Sequence, residues 1–201
     1  IDVDHLGPRL CEQSLKRMNN TILDSLTAYG AHHTMGHISG NHDKCRFISL
    51  AGGAVRWDEN DKAAGWTREI SVTADGDKEK EAHAYKMAML LEVINFTIPG
   101  VPCVYQGDEY GEAGANDPDN RHMMKFNGLD ANQQAFRAKV QQLAQMRRNN
   151  MALLYGEYIP VKVTDDMLHF QRVYMGDVVD VVISLNGESS ITINGDKVFS
   201  I

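Results

Sequence analysis

Apolar residues recur every three or four positions in three long stretches, and this periodicity predicts three helices. The first spans residues 8–30, with Pro8 near its start. Its apolar stripe consists of Leu15, Met18, Ile22 and Leu26. The second, residues 79–97, becomes apolar nearly all round, which indicates burial on more than one side. The third spans residues 130–149, with Asp130 as its N-cap and two arginines in its last turn, where cations suit the helix dipole.

Two short apolar runs between these helices predict strands. Residues 35–39 lead into the polar run 40–43, and residues 101–105 are expected to form a strand buried on both faces. Residues 52–78 are polar and rich in glycine, and connections of this length are often functional. Residues 1–155 therefore alternate helix and strand, as expected of an α/β domain.

The pattern changes to period two after Gly156, which is typical of half-buried strands. The dipeptides Asn186-Gly187 and Asn194-Gly195 are of the kind that forms hairpin turns. We therefore predict an all-β module of four to six strands over residues 156–201. The predicted boundary between the two domains lies between residues 155 and 156.

Composition excludes several classes of protein. The chain has 201 residues, 43% of them apolar and 23% charged, which is ordinary for a globular protein. Its 20 basic and 27 acidic residues give a net charge of −7, a poor match for binding nucleic acid. No apolar stretch is long enough to predict a membrane span. The chain begins at Ile1 without an initiator Met or signal peptide, so we expect a processed product or a piece of a longer protein.

Neither the cysteines nor the histidines of residues 32–37 predict a metal site. The cysteines are Cys11, Cys45 and Cys103. They are too few and too far apart for a disulfide framework or a zinc site, so we expect buried free thiols. His33 and His37 are four residues apart, and His32 adjoins them, but Gly36 and the approaching strand argue against a shared helical face.

The first cluster of chemically active side chains is Asn41-His42-Asp43. It follows a predicted strand, and ligands of parallel α/β folds bind at the carboxyl ends of strands. An amide, an imidazole and a carboxylate would then meet at one edge of the sheet. The alternative is a local turn, in which Asn and Asp side chains satisfy backbone groups.

The second cluster follows the second predicted strand, in the glycine-rich residues 107–111 and 114–121. It offers several carboxylates and one arginine. A carboxylate and a guanidinium in a polar cleft suit a ligand with many hydroxyl groups, because each can hold two hydroxyls in a fixed geometry. The alternative is a solvated or calcium-loop-like surface segment.

Three motifs, in order and at matching spacing, resemble the C-terminal part of an α-amylase-family glycoside hydrolase. Residues 41–43, followed by Arg46, match the family's Asn-His-Asp motif after barrel strand 7. Residues 99–109 match its strand 8 segment, and residues 114–121 match the next loop of the neopullulanase and cyclomaltodextrinase branch. The sequence departs from the pattern at Lys44-Cys45, where many relatives carry small or polar residues.

The resemblance implies the fold class. The family forms a (β/α)8 TIM barrel of about 250 residues. Residues 35–39 would be strand 7, residues 101–105 strand 8, and residues 1–155 the C-terminal part of the catalytic barrel. Residues 156–201 would be a β-rich C-terminal domain, complete or truncated. This chain would carry only the last quarter of the barrel and could not close it alone.

The resemblance also implies a mechanism. Retaining family members need a nucleophile and an acid/base about 5 Å apart, and the family places both on strands 4 and 5, which this chain lacks. Asp43 would be the third carboxylate, which binds sugar hydroxyls more strongly in the transition state. His42 would contact the same sugar, Asp117 and Arg121 the next one, and Arg46 would order the site.

Further expectations follow from the same resemblance. Asp108 and Glu109 are expected to be structural. The substrate would be an α-glucan oligosaccharide, hydrolysed or transferred at α-1,4 or α-1,6 links. No cofactor is expected, and a structural calcium in the parent stays open. The partners of the chain would be the missing N-terminal part of the barrel or a second copy, and bacterial relatives suggest a secreted or periplasmic enzyme.

Two other readings remain. Metallophosphoesterases also carry Gly-Asn-His-Asp, but they need further motifs, including Gly-Asp-x-x-Asp before residue 40, which this sequence lacks. The chain could instead be a non-catalytic carbohydrate-binding or interaction module.

Overall fold

The computed structural model describes residues 10–30, 35–56 and 69–201. Its helices and strands, in chain order, are α1 (Leu10–Tyr29), β1 (Gly36–Ile38), α2 (Phe47–Ala51), α3 (Lys78–Thr97), β2 (Val101–Cys103), α4 (Ala131–Arg148), α5 (Met151–Tyr155), β3 (Glu157–Val163), β4 (Met167–Tyr174), β5 (Asp177–Ser184), β6 (Ser190–Ile193) and β7 (Asp196–Ser200). Two 3₁₀ turns, Asp108–Tyr110 and Asp119–Arg121, lie between β2 and α4.

The three predicted helices are confirmed as α1, α3 and α4. Helix α1 ends before Gly30, whose φ of +87° is the left-handed conformation that stops helices. On its predicted stripe, Leu15 and Ile22 are buried, whereas Pro8 lies outside the described residues. Helix α4 begins with a reciprocal cap: the Gln133 N–H donates to Asp130 Oδ1 at 2.9 Å, and the Asp130 N–H donates to Gln133 Oε1 at 3.2 Å.

The two predicted strands pair with each other. The Val101 N–H donates to the Met35 carbonyl at 2.8 Å, and the Ser39 N–H donates to the Cys103 carbonyl at 3.5 Å. Because the partners advance together along both strands, β1 and β2 are parallel. The prediction that residues 101–105 are buried on both faces is wrong. The strand is shorter, and its first residue, Val101, is 47% exposed. Among the described residues, β2 pairs only with β1.

The predicted all-β module is a five-stranded antiparallel sheet in the order β3-β4-β5-β6-β7. Alternate residues of its central strands point to one face, as period two requires. That face is buried and consists of Leu168, Phe170, Arg172, Val179, Val181, Ile183, Ile191 and Phe199. The register aligns these positions: Phe170 lies opposite Val181, and Val181 lies opposite Ile191.

Two of the strand connections are tight turns. At Asn194-Gly195 the φ angles are +49° and +95°, as a type I′ turn requires, so this predicted turn is confirmed. At Met175-Gly176 the φ angles are +48° and +95°, which form a turn of the same type that the sequence did not predict. The other predicted turn, Asn186-Gly187, lies within the longer connection between β5 and β6.

The short helices α2 and α5 were not predicted. Each has five residues, too few for a helical period to stand out from a buried loop. Helix α5 does carry a local signal, because Asn150 is its N-cap and Asn150 Oδ1 accepts from the Leu153 N–H at 3.1 Å.

The chain divides into two compact units. The sheet unit consists of Ile1–His37, Val93–Pro102 and Leu143–Ile201, and the loop unit consists of Ile38–Glu92 and Cys103–Gln142. This division does not fall at residue 155, since both units combine separate stretches of the chain. The boundary between a barrel portion and a β domain at residues 155 and 156 stays a prediction.

Two buried arginines hold backbone carbonyls within the sheet unit. Arg147 donates to the carbonyls of Phe96 and Ile98 at 2.8 and 3.1 Å, and also to that of Gly100. Arg172 donates to the Thr97 carbonyl at 2.6 Å. Burial, with a smaller effect of nearby Arg147, lowers the pKa of Arg172 to about 9, so it remains charged at neutral pH. Arg147 thus binds the end of another helix, beyond its predicted role at the end of α4.

Candidate functional site

The first predicted cluster lies in the turn after β1. The Asp43 N–H donates to Asn41 Oδ1 at 2.8 Å, so the Asn41 side chain closes the turn. His42 Nε2 lies 3.3 Å from Asp43 Oδ1, and the two side chains are 63% and 68% exposed. The turn therefore accounts for Asn41, while His42 and Asp43 face solvent.

The second predicted cluster supplies an ion pair beside the first. Arg121 Nη2 lies 3.1 Å from Asp117 Oδ2, and both side chains are partly exposed. Arg121 Nε donates to the His42 carbonyl at 3.2 Å. The structure thus joins the loop of Asp117 and Arg121 to the turn that carries His42 and Asp43.

A buried amide, to which the sequence analysis assigned no role, joins the same two loops. Asn120 is fully buried. Its Nδ2 donates to the carbonyls of His42 and Lys44 at 2.9 and 2.7 Å. These carbonyls lie on either side of Asp43. No local signal could have predicted the contacts, because the partners are 78 and 76 positions away in the chain.

Arg46 makes several polar contacts within the loop unit. Its side chain is 2% exposed. Nη1 donates to the Gln106 carbonyl at 2.7 Å and to Asp108 Oδ1 at 2.8 Å. The guanidinium lies 4.2 Å from the centre of the Tyr105 ring, a cation–π contact. The Arg46 N–H also donates to the Gly114 carbonyl at 2.9 Å. These contacts suit a residue that holds the surrounding loops in place.

Protein groups also engage Asp108 and Glu109. Burial raises the pKa of Asp108 from its ordinary value of 3.8 to about 6, although Arg46 acts in the opposite direction. Asp108 Oδ2 lies so close to Gly40 that a methyl group there would overlap it. Glu109 Oε2 accepts from the Gly107 N–H at 2.6 Å. Glu109 therefore binds the loop backbone, and Asp108 pairs with the buried Arg46.

A buried carboxylate and a histidine hold the loop of the ion pair. Asp119 Oδ2 accepts from the N–H groups of Ala115 and Ile70 at 2.6 and 3.2 Å. His122 Nε2 lies 3.0 Å from Asp119 Oδ1, and His122 Nδ1 lies 3.1 Å from Glu112 Oε1. These contacts anchor the loop that carries the ion pair.

The described side chains offer no metal centre. Among residues 15–30, 35–56 and 69–201, no group of three or more His, Cys, Asp or Glu residues is placed to hold a metal ion. Glu92, Asp108 and Glu112 line a cavity of about 20 Å³, room for one water-sized molecule.

The predicted thiols and histidines differ in their placement. Cys45 is a buried free thiol, as predicted, and Cys103 is a half-buried one. His37 Nε2 contacts the Pro99 carbonyl. His32, His33 and the side chain of Cys11 lie outside the described part of the chain.

The chain is similar in sequence to parts of proteins that are named as cyclomaltodextrinases and cyclomaltodextrin glucanotransferases. No protein-family model matches the chain. It is 27% identical over 180 residues to a cyclomaltodextrinase from Thermoanaerobacter pseudethanolicus, a match that covers 89% of this chain and 26% of the relative. It is 36% identical over 110 residues to a cyclomaltodextrin glucanotransferase from Geobacillus stearothermophilus, covering 55% of this chain and 15% of the relative.

Solved structures show the same fold. An Anoxybacillus α-amylase superposes with a TM-score of 0.66 at 20% identity, covering 95% of this chain and 41% of the α-amylase. The predicted fold class, the C-terminal portion of a (β/α)8 TIM barrel followed by a small all-β domain, is confirmed by this match. The chain spans about a quarter of the length of the cyclomaltodextrinase that it matches.

The similarities cover a minor part of each of these proteins. None of the helices in the described ranges is long and apolar enough to cross a membrane.

Proposed function

We propose that this chain, which belongs to the α-amylase family of glycoside hydrolases, is the C-terminal part of a retaining enzyme that cleaves α-1,4 or α-1,6 glucosidic bonds in starch-like oligosaccharides. One observation carries the proposal. The turn of His42 and Asp43 and the loop of Asp117 and Arg121 are joined by direct hydrogen bonds, and their functional side chains remain exposed on the joined loops.

The proposed role of Asp43 is to stabilise the transition state. Its carboxylate accepts hydrogen bonds from hydroxyl groups of the sugar at the cleaved bond. These hydrogen bonds strengthen as the sugar ring flattens towards an oxocarbenium ion. His42 donates to the same sugar. Asp117 and Arg121 hold the neighbouring sugar, since a carboxylate and a guanidinium together offer acceptors and donors to vicinal hydroxyls. The exposure of all four side chains supports contact with a ligand from solvent.

The nucleophile and the acid/base are proposed to come from barrel strands outside these 201 residues. The shares of the relatives that this chain covers support that view. We therefore expect the chain expressed alone to release no sugar from starch, maltooligosaccharides, pullulan or cyclodextrins. Turnover by the purified chain that disappears in Asp43→Ala would defeat this expectation, and a compact lone monomer in light scattering would argue against self-association.

The decisive experiment uses the full-length protein and the variant Asp43→Asn. The side chain keeps its size but loses its charge, so kcat on a maltooligosaccharide should fall roughly 100-fold or more, as when one transition-state contact is removed. The dissociation constant of a non-hydrolysed oligosaccharide should change less than threefold. Asp196→Asn, at an exposed position of β7, is the matched control and should leave both values unchanged. A collapse of binding with kcat retained would contradict the proposed role.

The proposal extends to location and to metal dependence. We propose a secreted or periplasmic location, because the starch polymers from which such oligosaccharides derive do not cross cell membranes. Activity confined to the cytoplasmic fraction of the source cells would contradict that location. We propose that the reaction needs no cofactor. Loss of turnover in EDTA, restored by calcium, would instead indicate a structural ion in the full-length protein.

A further inference from the structure

Asn120 holds the backbone on both sides of the exposed carboxylate of Asp43. Its two amide hydrogens are donated to two carbonyls, that of His42 at 2.9 Å and that of Lys44 at 2.7 Å. One planar group with two donors can bind two acceptors in a fixed geometry. The peptide units that link His42 to Asp43 and Lys44 to Cys45 are thereby bound to a single planar group.

The orientation of this amide follows from its partners. A flipped amide would place Oδ1 against two carbonyl oxygens, which repel it, so Nδ2 must face the turn. In this orientation Oδ1 is buried without a hydrogen-bond partner among the described residues. A buried unpaired acceptor is costly. The chain therefore tolerates a destabilising group at position 120, and in return keeps two donors directed at the turn.

The contact also joins two parts of the site. Asn120 lies in the 3₁₀ turn Asp119–Arg121, next to Arg121, which itself donates to the His42 carbonyl. Asp119, on the other side, is fixed by the N–H groups of Ala115 and Ile70. A rigid turn thus presents Asn120 to the backbone around Asp43.

We propose that Asn120 is a positioning residue for the reaction, which fixes the carboxylate of Asp43 at the cleaved sugar through the carbonyls of His42 and Lys44. The inference rests on the proposed function, because the catalytic role of Asp43 is itself part of that proposal. Asn120 itself touches no substrate. Small displacements of a transition-state contact cost large factors in rate, so loss of the two donors should lower kcat while leaving ligand binding nearly unchanged.

The experiment is a double-mutant cycle in the full-length protein. Asn120→Ala removes both donors, and Asn120→Asp keeps the shape of the side chain but replaces the donors with acceptors. Each should lower kcat at least tenfold, with KM within twofold. Asn127→Asp, the same change at an exposed position, is the matched control and should have no effect.

The cycle separates positioning from general loss of structure. If Asn120 acts through Asp43, Asn120→Ala should lower the residual rate of the Asp43→Asn protein less than twofold, measured with an activated substrate such as maltosyl fluoride. An equal tenfold loss in both backgrounds would overturn the proposal, because unfolding lowers any rate by the same factor.

Hydrogen exchange provides a readout that does not depend on the reaction. The amides of residues 42–45 should exchange faster in Asn120→Ala than in the parent protein, and unchanged exchange would overturn the positioning role. A parent protein that turns over no glucan would defeat the proposed function alone. In that event the exchange result still decides whether Asn120 holds the turn.

Discussion

The sheet unit and the loop unit are stabilised by different kinds of contact. One face of the sheet is a continuous buried surface, almost entirely of branched and aromatic side chains. The loop unit has a smaller apolar cluster, formed by Cys45, Leu50, Val55 and Ala115. Buried polar side chains also join its distant segments, above all Arg46, Asp119 and Asn120. Apolar burial tolerates a similar side chain in place of another, whereas a buried polar group needs its particular partner.

This difference explains where the candidate chemistry lies. A polar loop is held in place only if its backbone groups are paired. In the loop unit part of this pairing comes from buried side chains: Arg46 binds the Gln106 carbonyl, and Asn120 binds those of His42 and Lys44. The exposed side chains of the same loops make few contacts with the protein and remain available to a ligand.

The largest expected effect comes from breaking this polar pairing at Arg46. Arg46→Met keeps the length and apolar bulk of the side chain but leaves Asp108 buried without its partner. We expect the free energy of unfolding to fall by about 3–5 kcal/mol, the usual cost of removing one member of a buried ion pair. Equilibrium unfolding of the chain in urea measures the change.

Two further variants test whether the loss of stability in Arg46→Met comes from the buried ion pair. Arg148→Met changes an exposed arginine in the same way and should alter stability by no more than about 0.5 kcal/mol. Arg46→Lys keeps the charge but not the planar fork, so most of the loss should remain. Full stability in Arg46→Met would show that the loop unit depends on its apolar contacts after all.

A smaller effect is expected from the pH dependence that Asp108 contributes. Its pKa is about 6 in the folded chain and 3.8 as an ordinary aspartate. Between these values the folded state binds a proton that the unfolded state has lost, so stability falls as pH rises from about 4 to 6. The contribution is about 3 kcal/mol, since the two pKa values differ by roughly two and one pKa unit corresponds to about 1.4 kcal/mol.

Asp108→Asn removes this titration and keeps an oxygen that can accept from Arg46. The variant lacks the carboxylate charge at every pH, so its unfolding free energy can differ from that of the parent by a constant amount. The test is how the difference between the two unfolding free energies changes with pH. The difference in unfolding free energy between variant and parent should rise in the variant's favour from pH 4 to pH 7, measured by urea unfolding at each pH. Parallel curves for the two proteins would mean that burial does not raise the pKa.

The two units also differ in how far the sequence could predict them. The sheet follows from alternation and from Asn194-Gly195, and the long helices follow from their period and from Asp130, because such signals connect neighbouring residues. The motif residues His42, Asp43, Asp117 and Arg121 were singled out from the sequence, and the structure places them in two joined loops. The contacts of Arg46 and Asn120 span 60 to 78 positions, and no local pattern encodes them.

The smallest expected effect concerns a local strain in the sheet unit. Met175 has a φ of +48° and is 89% exposed. A side chain in the left-handed region costs about 1 kcal/mol, and Asn tolerates that region better. Met175→Asn should therefore stabilise the chain by about 0.5–1 kcal/mol in urea unfolding. Met123→Asn, at an 88% exposed position with negative φ, is the control and should change little. A loss of stability in Met175→Asn would mean that even this exposed turn depends on apolar contact, which would extend the apolar character of the sheet unit to its turns.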